Sequence, residues 1–174
     1  AEVETLVGHD LRIPRGGSLF HAGQKFEALY AIKSGFFKTM LTTADGRQQI
    51  TGFRMAGEVV GMHGIAGGRY INDCIALEDS IACRLPYARM QELARRVTAL
   101  QNHLHNIMSR EIADQHSIML LLGNMRAEER VAAFLINLLQ RLEARGYSNS
   151  ELLLRMTREE IGSYLGLKLE TVSR

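Results

Sequence analysis

The stretch Thr157-Arg158-Glu159-Glu160-Ile161-Gly162-Ser163-Tyr164-Leu165-Gly166-Leu167-Lys168-Leu169-Glu170-Thr171-Val172-Ser173-Arg174 decides how this chain is read. Thr157 is a good helix N-cap, and Glu160 stands at the spacing of a capping box. Ile161 and Leu165 fall on one face of a short helix. Gly162 leaves room for a second helix to cross closely, and Gly166 suits the left-handed residue that ends a helix. Leu167 can fill the corner, a second helix begins near Leu169–Glu170, and Val172 turns inward from it. This is the apolar and glycine pattern of a helix-turn-helix, whose second helix enters the DNA major groove. Glu170, Ser173 and Arg174 then reach base edges. Arginine can bond both acceptors of a guanine, glutamate can accept from the cytosine amino group, and serine can take either role. Thr157 and Thr171 complete the candidate DNA-contacting set. Two packed helices of any all-α domain would show the same short pattern, so the rest of the chain has to decide.

Upstream, residues 127–145 predict an amphipathic helix with Val131, Phe134, Leu135, Leu138 and Leu142 on one face. Gly146 follows its last apolar turn and caps it. Glu151–Met156 reads as a short strand before the helix-turn-helix. Residues 124–174 are therefore expected to form a small winged-helix domain without its wing.

Residues 88–123 predict one long helix with two apolar stripes, broken near Gly123-Asn124 at a hinge. Met108, Ile112, Gln115, Met119 and Leu122 recur at alternating steps of four and three, the spacing of a coiled-coil seam. Leu104, Ile107, Glu111, Asp114, Ile118 and Leu121 form the other stripe, which carries two carboxylates. The first stripe, with only the uncharged Gln115 as a polar member, is assigned to a partner chain and the second to the chain's own body. The competing reading is a long core helix of a monomer. A homodimer would supply the two reading helices that a two-fold-symmetric DNA site needs.

Residues 11–87 read as β structure. Apolar pieces at Ala28–Ile32, Phe36–Leu41, Gln49–Phe53, Val59–Gly61 and Ile81–Leu85 are separated by glycine-bearing turns. Asp45-Gly46 between two alternating runs is a strong hairpin signal. Short strands at this spacing suggest an antiparallel sandwich or barrel, which either holds a ligand or is simply a packed core. The domain reading is thus a β-roll over 1–87, a long dimerisation helix over 88–123 and a helix-turn-helix domain over 124–174.

The 174 residues include no apolar run of the ~18–20 residues a membrane span needs, and the start lacks a basic-then-apolar leader. Two cysteines, Cys74 and Cys83, are too few for a disulfide scaffold and suit a reducing cytoplasm. The net charge of +2 offers no global basic field, and residues 126–174 hold eight Lys/Arg against seven Asp/Glu. The electrostatic footprint of a DNA binder is therefore weak. Ala1 is not an initiator methionine and Arg174 falls inside the second helix, so a piece of a longer protein is expected. An enzyme of the metal-bearing β-barrel type is the rival class. It would converge two or three histidines with a carboxylate. Of His9, His21, His63, His103, His105 and His116, only His63 falls among central roll strands, and no nucleophile–base pair is evident.

The terminal stretch closely resembles the DNA-reading motif of the CRP/FNR family, the cyclic-AMP receptor and fumarate-nitrate regulators. Glu170-Thr171-Val172-Ser173-Arg174 is similar to the FNR branch, whose readers are a Glu and a Ser-Arg pair. The resemblance continues through Leu29–Gly35, Gln49–Phe53, Ala56–Gly61, Ala127–Phe134 and Met156–Leu167 and so covers nearly the whole chain. It implies an α+β protein: the double-stranded β-roll of the cyclic-nucleotide-binding fold, a long dimerisation helix and a C-terminal winged helix-turn-helix. It also implies double-stranded DNA and RNA polymerase as partners.

Three signals compete for the roll. Family members that bind a cyclic nucleotide use a Gly-Glu-Leu segment and an Arg-Ser pair. Here Met62-His63 follow Gly61 and Tyr70-Ile71 occupy the phosphate loop, with Arg69 next door. The FNR branch holds a [4Fe–4S] cluster on three N-terminal cysteines and one in the roll. Cys83, in Ile-Ala-Cys-Arg-Leu-Pro, matches the roll cysteine, and the others would lie upstream of Ala1. Such a cluster needs about four thiolates, so these residues alone should not hold it. The alternative for Cys83 is a small buried apolar residue. The third signal is a haem-type or apolar ligand, or none.

Overall fold

The computed structural model describes residues 8–148 and 151–174. Strands β1 (Asp10–Ile13), β2 (Ser18–Phe20), β3 (Ala28–Ser34), β4 (Phe36–Thr42), β5 (Gln48–Met55) and β6 (Val59–Val60) precede a single helical turn, α1 (Gly64–Gly67), with β7 (Asp73–Ala76) and β8 (Ser80–Pro86) after it. They form two antiparallel four-stranded sheets, ordered β1-β8-β3-β6 and β2-β7-β4-β5. Along β4 the side chains alternate, with Phe37 and Thr39 buried and their neighbours only half-covered, as a strand with one core-facing side requires. Gly35 joins β3 to β4 at φ 90°, and a Cβ there would collide with Ser80. The core between the sheets is built from Phe20, Tyr30, Ile32, Phe37, Tyr70, Cys74 and their neighbours. The β-roll of the α+β reading is thus present. β7 is a strand that the apolar runs did not announce, because Asp73-Cys74-Ile75-Ala76 is short and opens on a charge.

Helix α2 (Tyr87–Arg96) and helix α3 (Thr98–Asn124) replace the single uninterrupted helix expected from residue 88. The break is at Val97, at φ −115° and ψ 93°. Val97-Thr98 are consecutive β-branched residues, which lose side-chain freedom in a helix. The Val97 amide closes α2 on Leu93 while its carbonyl opens α3 toward Leu100 and Gln101. Met90 of α2 is buried with Leu29 of β3, and Leu85, Leu100 and Leu104 pack against them.

Helix α4 (Ala127–Glu143), helix α5 (Arg158–Leu165) and helix α6 (Leu169–Ser173) follow. Phe134, Leu138 and Leu142 of α4 are buried, as are Met156, Ile161 and Leu165. The strand expected over Glu151–Met156 does not form. No described strand lies beside it, and a strand without a ladder partner leaves its amides unpaired. Two compact units result, Ala1–Arg110 and Glu111–Arg174, so α3 contributes to both.

Candidate nucleic-acid interface

Thr157 and Glu160 cap α5 reciprocally. The Glu160 amide donates to Thr157 Oγ1 at 3.1 Å, and the Thr157 amide donates to Glu160 Oε2 at 2.7 Å. The Thr157 hydroxyl oxygen, a candidate DNA contact, thus also serves the helix. Gly166 ends α5 at φ 64° and ψ 37°, with its amide bonded to the Gly162 carbonyl. Gly162 is buried, and a Cβ there would stand 2.7 Å from the Leu167 carbonyl oxygen. Val172 Cγ2 lies 3.6 Å from the same point, so α6 crosses α5 where the side chain is missing. Ile161 and Leu165 are buried beneath this corner.

α6 presents the other side. Glu170, Ser173 and Arg174 are exposed and Thr171 is half-buried. Positions three and four apart share a helix face, so Glu170 stands with Ser173 and Arg174, and Thr171, three before Arg174, flanks them.

On α3, Met108, Ile112, Gln115 and Met119 are exposed and Leu122 is half-buried. Ile112 and Met119 are 57% and 69% exposed, far more than apolar side chains of a packed helix face. The other stripe is better covered, with Leu104, Ile107, Glu111 and Ile118 half-buried and Leu121 buried, though its Asp114 is exposed.

Residues 10–97 match the cyclic nucleotide-binding domain family and residues 129–174 match the Crp-like helix-turn-helix domain family. The transcriptional regulatory protein btr of Bordetella pertussis is 42% identical over 173 residues, covering 99% of this chain and 72% of that protein. The fumarate and nitrate reduction regulatory protein of Escherichia coli is 40% identical over 173 residues, with 99% and 69% covered. FixK2 from Bradyrhizobium japonicum superposes with a TM-score of 0.85 at 28% identity, covering 97% of this chain and 82% of that one. The chain belongs to the CRP/FNR family. It is a DNA-binding transcription regulator of that type.

In this CRP/FNR regulator the roll interior is filled by rings. Tyr70 stacks on Phe20 with centroids 4.1 Å apart and planes 11° apart, and its hydroxyl donates to the Ala28 carbonyl at 2.6 Å. Phe26 and His63 pack edge-on against it. Arg69, the charged residue of this loop, donates to the Gly23 carbonyl at 2.7 Å, while Ile71 is exposed. Met62, like Ile65 and Leu104, packs against the buried Leu29 and Met90. The segment where a cyclic phosphate would need donors is therefore spent on aromatic packing and backbone contacts.

Cys83 lies on β8, paired with Asp10 of β1 and Ala31 of β3. Its thiol donates to the Gly8 carbonyl at 3.5 Å. Burial first, and the nearby Asp10 carboxylate second, push its pKa up. Asp10 is bound by Lys33 at 2.8 Å. Cys74 lies on β7 in the other sheet, wholly buried, its thiol pushed up to about 12 by desolvation. Among the described residues no three His, Cys, Asp or Glu side chains form a candidate metal site. A [4Fe–4S] cluster needs about four thiolates, so the described residues do not by themselves fit one. No described helix is long and apolar enough to cross a membrane.

One side chain that the sequence reading passed over joins the pieces of the C-terminal unit. Arg130, in the first turns of α4, donates from Nε to the Met125 carbonyl at 3.0 Å, from Nη1 to Leu165 at 3.1 Å and from Nη2 to Leu122 at 2.8 Å. Its signal in the sequence is position: it stands four residues before Phe134 and eight before Leu138, on the stripe that α4 buries.

Proposed function

We propose that this regulator works as a homodimer that presents two copies of α6 to a two-fold-symmetric DNA site. Its functional division is a β-roll over 1–87, a dimerisation segment over 88–123 that spans α2 and α3, and a DNA-binding domain over 124–174. Glu170, Ser173 and Arg174 read base edges, while Thr157 and Thr171 contact the backbone. The observation that carries this reading is the exposed row Met108, Ile112, Gln115 and Met119 on a helix whose adjoining stripe is better covered, from half-buried Leu104 to buried Leu121. An apolar row of seam spacing left in water costs free energy, and a second copy of the same row removes it. Transcriptional control then implies RNA polymerase as the further partner. The test is sedimentation of the full chain with and without a duplex chosen by selection from a random pool. Two chains per duplex support the reading, and a monomer on a non-symmetric site overturns it.

For the signal, the FNR-named relative supports Cys83 as one thiolate of an oxygen-sensitive [4Fe–4S] cluster, with the other ligands supplied from outside these 174 residues. The Gly8 carbonyl, two residues before β1, lies against the Cys83 thiol. Anaerobic iron–sulfide reconstitution followed by visible absorption tests it. This chain should take up no stoichiometric cluster, and a form extended at its N-terminus should lose its cluster on Cys83→Ala. A cluster unaffected by that change would remove Cys83 from the ligand set.

A further inference from the structure

We infer that Arg130 orients the helix-turn-helix against the end of α3 and so determines which half-site spacing the regulator accepts; this rests on the paired reading above. The carbonyls at the end of a helix have no donor within the helix. Leu122 is in the last turn of α3, and the amide that would normally serve it, that of Arg126, donates instead to Glu129 Oε2 at 2.7 Å. Leu165 is the last residue of α5, and Met125 lies in the joint between α3 and α4. All three carbonyls converge on the guanidinium of Arg130, one on each of its nitrogens, at 2.8 to 3.1 Å. The negative ends of two helix dipoles thus meet one fixed positive charge.

Only a planar fork can do this. A lysine has a single nitrogen on a flexible stem and cannot span three separated acceptors with the same rigidity. Gly166, which ends α5, adjoins the same group: a Cβ there would be in ordinary van der Waals contact with Arg130 Nη1 at 3.7 Å and Leu122 Cδ2 at 3.9 Å. The joint that follows α3, where the sequence predicts a hinge near Gly123-Asn124, is therefore held on both sides. In a dimer, a fixed exit from α3 means a fixed separation between the two reading helices. Each added base pair also turns the second half-site by roughly 34–36°, since a turn of duplex holds 10–10.5 pairs. A rigid joint discriminates against such changes, and a loose one tolerates them.

The experiment uses the full chain and a symmetric duplex selected by it, together with duplexes whose half-sites are moved one or two base pairs nearer or farther. The wild type should prefer the selected spacing by about tenfold or more over its neighbours. Arg130→Lys and Arg130→Leu should compress that preference to about threefold or less, mainly by losing affinity at the selected spacing. Leu142→Ala, which loosens the core at the far end of α4, should instead lower affinity at every spacing by the same factor. If the Arg130 variants also lose affinity uniformly, the orienting role is wrong. If circular dichroism shows both unfolded, Arg130 is a folding requirement and the inference likewise falls. A wild type indifferent to spacing would overturn the paired reading itself, which is a separate and recognisable result.

Discussion

The Leu167 carbonyl oxygen lies 2.7 Å from where a Cβ on Gly162 would stand. Backbone, not a movable side chain, blocks that position, so the α5–α6 corner has no room for even a methyl group. Gly162→Ala is therefore expected to destabilise the C-terminal unit by about 1–3 kcal/mol, the usual cost of overpacking. Denaturant unfolding followed by circular dichroism measures it. DNA affinity should fall on all sequences alike, because the whole reading unit is disturbed.

Arg174 stands on the exposed face of α6 with Glu170 and Ser173. Replacing it with alanine should relax discrimination at one base pair of each half-site by about 1–3 kcal/mol. Competition binding against a set of single-base variants reads this. A uniform loss on every variant, with a shallower salt dependence, would recast Arg174 as a phosphate contact.

Gln115 sits between Ile112 and Met119 on the exposed row of α3, with its amide donating to Glu111 Oε1 at 3.3 Å. A polar residue in a seam costs stability and keeps association marginal. Gln115→Ile should lower the dimer dissociation constant by about tenfold or more, from the apolar area buried by two copies. Analytical ultracentrifugation decides it, and an unchanged profile would remove Gln115 from the interface.

Cys74 gives a pH dependence with a definite sign. Burial raises its thiol pKa from 9.0 to about 12. The native state therefore holds a proton that the unfolded state releases above its ordinary pKa. Stability from this group is full below pH 9 and declines between pH 9 and about 12, by up to about 1.4 kcal/mol per pH unit. Tyr70, whose phenol is also raised by burial, adds to the same alkaline loss. Cys74→Ala should flatten the decline in chemical denaturation at pH 8, 9.5 and 11. Native-state alkylation of Cys74 at pH 8 should be slow, and become fast only with unfolding.

What the sequence made legible follows from short-range physics. Thr157 with Glu160, Gly166 after Leu165, and Asp45-Gly46 between alternating runs are local signals, and each element stands where its signal lies. The exposed row on α3 was legible for the same reason, because helical spacing alone separates its two stripes. The helix-turn-helix corner was legible because only glycine fits at Gly162. Other features depend on contacts far apart in the chain. Tyr70 turns inward because Phe20 and the Ala28 carbonyl await it from other strands. Arg130 looks like an ordinary charged helix residue until Leu122 and Leu165 are brought beside it. The break at Val97 was visible in principle, as two β-branched residues in succession, but weak helix propensity is commonly overridden by packing. Glu151–Met156 holds no β-branched or aromatic residue to favour a strand, and a strand also needs a neighbour, whose presence its own residues do not reveal.

The central claim is that two chains read one duplex through α6. The most direct measurement is sedimentation equilibrium of the full chain on a selected symmetric duplex, alongside the same duplex with one half-site scrambled. The account predicts two chains on the symmetric duplex and a large affinity loss on the scrambled one, with Arg174→Ala weakening discrimination in both half-sites. One chain per duplex, or equal affinity for the two duplexes, would contradict it.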